Sequence, residues 1–304
     1  MLRLAALAVV ALPLTAAAQP PPDNSPGVAY GLDSIATGDV RAATRDWLVG
    51  PPGWDVGGEL RFITSSLGLV EGRALKLTDI GILRARLRYT ASKRIELFAS
   101  VDALAKQPSY SDSLPFQGAT LGLKVAVSRK WALTAGVSGG PTLGDDGAWG
   151  DGATQVVYRS HPDETLSFQV SGGAKATALR FDDAPDQWLT EATAGGNVML
   201  HTPNGWFGAW LGANLAVPVV ASDHLDPNTR LDLTIGTVYA VVPAWDVYAE
   251  ASIFDRGDAG MPGTMLPILD GGFDQKQIVI GVVRRFDGKQ SSRRGNDALM
   301  LSAR

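Results

Sequence analysis

The chain has no cysteine, three histidines and little charge: 19% of its 304 residues are Asp, Glu, Lys or Arg. Without cysteine it closes no disulfide and builds no thiolate zinc site. Beyond the first twenty residues no apolar run is long enough for a membrane-spanning helix. A basic surplus is missing as well. The 27 basic residues less Arg3 leave 26 against 31 acidic ones, a net of about −5. That balance gives no reason to expect nucleic acid as a partner. At 45% hydrophobic residues the chain is too apolar for disorder.

The N-terminus reads "MLRLAALAVVALPLTAAAQP". Arg3 opens it, Leu4 to Leu14 form an apolar stretch, and small residues surround Ala18. The stretch is short and runs into "QPPPDNSPG", so it reads as a secretory signal cleaved after about Ala18. Residues 19–54 then form a linker and a segment that lies in the periplasm or tucks inward as a plug.

From residue 55 onward one theme repeats. In "GILRARLRYT", Arg84, Arg86 and Arg88 alternate with Leu83, Ala85, Leu87 and Tyr89. A period of two means a strand with one basic and one apolar face. Twelve such segments follow one another, at about 56–65, 80–89, 94–104, 118–127, 131–138, 153–159, 165–173, 188–200, 206–217, 229–240, 245–254 and 276–286. Short turns near 90–93, 128–130, 160–164, 201–205 and 241–244 alternate with long loops near 66–79, 105–117, 139–152, 174–187, 218–228 and 255–274. The predicted fold is all-β: a transmembrane antiparallel up-and-down barrel of about twelve strands over 55–286. Residues 287–304 are read as a flexible tail.

Tyr89, Trp131, Tyr158, Phe207, Tyr239, Trp245 and Phe286 sit on the apolar parity beside the short turns. Rings with one wet and one apolar end favour a membrane interface, so these seven predict a girdle. The opposite parity predicts the lumen: Arg84, Arg86, Arg88, Glu96, Asp102, Lys124, Asp232, Asp246 and Glu250. An arginine facing lipid near the midplane would cost roughly 2–4 kcal/mol. The arginine row either attracts anionic solutes or braces the wall against Glu59, Glu96 and Asp102. Asp232, Asp246 and Glu250 suggest an acidic wall across the lumen from the basic one. Small inward residues such as Gly122, Gly136, Gly236 and Gly281 suggest space for water.

The pattern over 55–286 resembles the Gram-negative outer-membrane β-barrels as a class. The last strand, "QKQIVIGVVRRF", resembles the terminal strand by which such barrels are recognised for insertion, with Arg284 where an apolar residue is usual. The resemblance implies a place in the outer membrane, both termini periplasmic, with outer-membrane lipid, the barrel assembly machinery and small polar solutes as partners. It implies no cofactor. Porin-like passive diffusion is the expected role, with an occluded structural barrel, an outer-membrane hydrolase and a soluble secreted β-sandwich as alternatives. For a hydrolase, "RSHPDE" offers Ser160, His161 and Asp163, but neighbours in a turn rarely form a triad. His201 and His224 are read as a turn and a loop residue. "GGPTLGDDGAWGDG" offers Asp145, Asp146 and Asp151 to calcium without EF-hand spacing; a solvated loop is the plainer reading. No metal site is expected.

Overall fold

The computed structural model describes residues 49, 52–70, 73–76, 80–92, 94–106, 116–141, 147–163, 165–181, 186–202, 206–223, 227–242, 244–256 and 273–286. The expected signal segment, most of the 19–54 segment and the C-terminal tail lie outside these residues.

Among the described residues thirteen strands follow in chain order. They are β1 (Gly53–Val70), β2 (Arg73–Lys76), β3 (Ile80–Ser92), β4 (Ile95–Lys106), β5 (Phe116–Ala126), β6 (Trp131–Pro141) and β7 (Gly147–Ser160). Then come β8 (Leu166–Phe181), β9 (Gln187–His201), β10 (Phe207–Ala221), β11 (Arg230–Val242), β12 (Trp245–Arg256) and β13 (Phe273–Phe286). Apart from β2, each pairs antiparallel with its neighbours in sequence, and β13 pairs with β1 from Trp54↔Phe286 to Leu67↔Phe273. The sheet is therefore a closed twelve-stranded up-and-down barrel. Closure leaves no wall strand with an open edge. The short β2 folds back on the far end of β1, from Ser66↔Lys76 to Val70↔Arg73.

The strands run further at the long-loop end than expected. Segments 66–79 and 174–187 were predicted as loops, yet β1 continues to Val70, β2 occupies 73–76, and β8 continues to Phe181. A spanning strand needs only about 9–11 residues. The rest continues the ladder beyond the length a span needs, with weaker apolar alternation.

Side-chain oxygens close four of the five short turns. Ser92 Oγ accepts from the Arg94 N–H, and Ser128 Oγ accepts from those of Lys130 and Trp131. Asp163 Oδ1 accepts from the Thr165 and Leu166 N–H groups, and Thr202 Oγ1 from that of Phe207. Ser, Thr and Asp favour turns for this reason.

Alternation decides what faces in and out. Leu83, Leu121, Leu211, Leu233 and Ile280 are exposed, while Glu59, Lys124, Asp232 and Gln169 are buried. That inverts the arrangement of a soluble domain. A β-sandwich would instead bury its apolar parity. Several inward glycines are not open space. A methyl at Gly122, Gly236 or Gly281 would overlap the ring of Phe98, Trp210 or Tyr248. Each of these rings belongs to the directly paired residue on the preceding strand. The glycine lets the ring lie flat on the wall.

Candidate functional site

The interior is built from the arginine row outward. In-register pairing sets Arg84 between Glu59 on β1 and Asp102 on β4. Arg84 donates from Nε and Nη2 to the two Asp102 oxygens, both at 2.6 Å. This is the bidentate geometry that guanidinium and carboxylate match best. Arg86 Nη1 donates to Glu59 Oε1 at 2.7 Å and to the Tyr248 hydroxyl at 3.0 Å. Glu59 also accepts from Arg61 Nε at 2.9 Å and Nη2 at 2.7 Å, and from the Tyr248 hydroxyl at 2.5 Å. Arg88 lies 3.7 Å from both Asp55 and Glu96.

Tyr248 is a residue that sequence reasoning missed. Its partner on β13 is Gly281, whose partner on β1 is Glu59. With no side chain at 281, the ring crosses β13 and reaches β1. The signal was a lone inward tyrosine opposite a glycine, but it can be read only once the register of β13 against β12 and β1 is known.

The remaining predicted lumenal residues also lie inside. Lys124 is the register partner of Glu96. Asp232 is 3.0 Å from Arg230, and Asp246 is 3.0 Å from Arg285. The expected acidic wall opposite the basic one is not there. Closure of β13 on β1 brings β12, with Asp246 and Glu250, within two strands of β1, on the basic side. The strands across from the arginine row are β8 to β10, and there Lys175 approaches Asp151 on β7 at 3.4 Å. Asp151 is thus a buried strand residue rather than part of a calcium loop. Asp145 and Asp146 lie outside the described residues, among which no cluster of metal-ligating groups occurs.

A second arc of the interior differs in kind. Thr134 Oγ1, Ser167 Oγ, Gln187 Oε1 and Thr193 Oγ1 are buried and have no hydrogen-bond partner among the described residues. They belong to β6, β8 and β9. His201 was read as a turn residue; it ends β9 as an inward, buried side chain. His224 lies outside the described residues. In "RSHPDE" the Asp163 carboxylate serves the turn. Hydrogen bonds from the Thr165 N–H, above all, and from its hydroxyl hold Asp163 below the usual carboxylate range.

On the outer face, Tyr89, Trp131, Tyr158, Phe207, Tyr239, Trp245 and Phe286 share the parity of the exposed leucines and valines at the short-turn end. Trp54 and Phe168 join them. Ring centroids are 4.3 Å apart for Trp54 and Tyr89, 4.9 Å for Trp131 and Tyr158, and 6.1 Å for Tyr158 and Phe168. Trp54 was missed because it precedes the first expected strand. Trp188 is exposed at the other end. Arg284 is outward too, 5.3 Å from the Trp245 ring and 4.5 Å from the Phe286 ring.

No family model matches the chain, and no curated protein matches it. Solved structures with a similar fold include the translocator domain of the autotransporter NalP from Neisseria meningitidis: 12% identity, 85% of this chain and 97% of that one, TM-score 0.49. An outer membrane channel from Pseudomonas putida F1 gives 14% identity, 79% and 98% coverage, and a TM-score of 0.48. The NanC porin gives 10% identity, 75% and 100% coverage, and a TM-score of 0.48. The fold assignment rests on the closed ladder described above.

Proposed function

We propose that the chain is an outer-membrane barrel that passes small polar solutes by passive diffusion, with both termini in the periplasm. The exposed apolar outer face supports the membrane setting, with outer-membrane lipid around it and the barrel assembly machinery inserting it. The observation that carries the passage is the arc of buried polar atoms on β6, β8 and β9 without partners among the described residues. Buried polar groups find partners, and where the protein supplies none water does. The passage therefore runs along that arc. The sector of β1, β3 and β4 is braced by its own ion pairs.

The unpartnered groups along that arc are neutral, so they impose no charge selectivity. Arg84 and Arg86 are already neutralised by Asp102 and Glu59. A second reading, an occluded barrel, is favoured by Val49, which lies just ahead of β1 and is only 2% exposed. Liposome swelling separates the two. Proteoliposomes should swell in a pentose faster than in a trisaccharide. Swelling no faster than in protein-free vesicles would leave the occluded barrel standing and remove the channel.

A further inference from the structure

We propose that the outer face at the short-turn end holds a phospholipid phosphate at Arg284, in a seat flanked by Trp245 and Phe286. The proposal rests on the membrane setting proposed above. It starts from the one arginine that breaks the apolar parity of the closing strand.

Along β13, Val279, Val283 and Arg285 are buried on the inner face, while Ile280, Val282 and Phe286 are exposed on the outer one. Arg284 shares the outer parity and is exposed. Its neighbour Arg285 has carboxylates at Asp246 and Asp55. Among the described residues Arg284 has none. A guanidinium on the lipid side is costly at the midplane and nearly free at the interface, roughly 0–1 kcal/mol. Arg284 lies two residues before the last of β13. At about 3.4 Å per residue and a tilt near 45°, that is on the order of 5 Å below the strand end. The cation is therefore at headgroup depth.

The two rings hold the group without satisfying it. At 5.3 and 4.5 Å, Trp245 and Phe286 engage the charge of the guanidinium. Their π-faces do not replace carboxylate acceptors for its five N–H donors. A phosphodiester supplies two anionic oxygens in the spacing a guanidinium matches. Exposed Val56 lies level with Arg284, and exposed Val247 and Val282 continue the patch toward the midplane, where an acyl chain would lie. Trp54, whose register partner is Phe286, and Tyr89 close its other side. A free phosphate would gain nothing from those surfaces, so the occupant is a lipid.

Native mass spectrometry of the detergent-purified barrel, titrated with short-chain phosphatidylglycerol, tests this. The wild type should retain one lipid more tightly than any others. Arg284→Gln should weaken that retention at least about fivefold, with Arg284→Lys between, because a point charge lacks the planar fork. Trp245→Leu should weaken it two- to threefold. Inorganic phosphate at millimolar concentration should not displace the lipid; displacement would make this a free-anion site and overturn the proposal. Equal retention by wild type and Arg284→Gln, both heat-modifiable on gels, would also overturn it. A wild-type chain that stays soluble without detergent would overturn the membrane setting itself, and the lipid contact with it.

Discussion

Arg84 and Asp102 illustrate what a charge inside this barrel requires. Both side chains are 7% exposed and are joined by two hydrogen bonds. Removing one partner strands the other, a loss of about 3–5 kcal/mol for buried pairs. Arg84→Leu should therefore lower the urea midpoint of the barrel in vesicles sharply, and adding Asp102→Leu should restore most of it. A single variant as stable as wild type would show that the pair is solvated and braces nothing. Asp163 works at the opposite extreme, exposed in a turn. Its folded-state pKa is lowered. Its contribution is thus present above the ordinary aspartate value near 4 and is lost as pH falls through the lower folded value. Asp163→Asn keeps an acceptor oxygen but does not titrate. The stability difference between wild type and Asp163→Asn should change as pH drops below about 4; a difference independent of pH would contradict this.

At the scale of the strand, the unit is a ring laid on a glycine. Phe98, Trp210 and Tyr248 each cover a glycine on the following strand, and Tyr248 reaches Glu59 across the seam that closes the barrel. Gly281→Ala must push the Tyr248 ring off β13, and overpacking of this kind typically costs about 1–3 kcal/mol. Tyr248→Phe keeps the ring and loses one hydrogen bond, about 0.5–1.5 kcal/mol. The glycine change should thus be the more damaging in urea titrations, and the reverse order would place the joint's stability in the hydroxyl. The strands themselves were legible because period two is written into each, as in "LRARLRY". Their far ends were not. Segments such as 174–181, "AKATALRF", carry only alanines on the outward parity before Arg180 breaks it, yet remain paired to β7 and β9. The glycines misled for a related reason: a small residue in sequence does not reveal which neighbour lies over it.

For the whole molecule, the decisive fact is closure. Strand count, alternation and turn spacing pointed to a barrel, and the lumenal parity of Arg84, Glu96, Lys124 and Asp232 followed from them. The expected closure was not carried through to the placement of the acidic residues. Read as a line, β12 lies far from β3; with β13 on β1 it lies on the same side, so Asp246 and Glu250 neighbour the arginines rather than face them. Acidic and basic groups are therefore interleaved along the wall from β12 to β4. Single-channel recording in planar bilayers is the most direct test of the central claim. Purified barrel should give stable, discrete conductance steps that scale with protein added. Membranes in which heat-modifiable barrel inserts but no steps appear would contradict a water-filled passage.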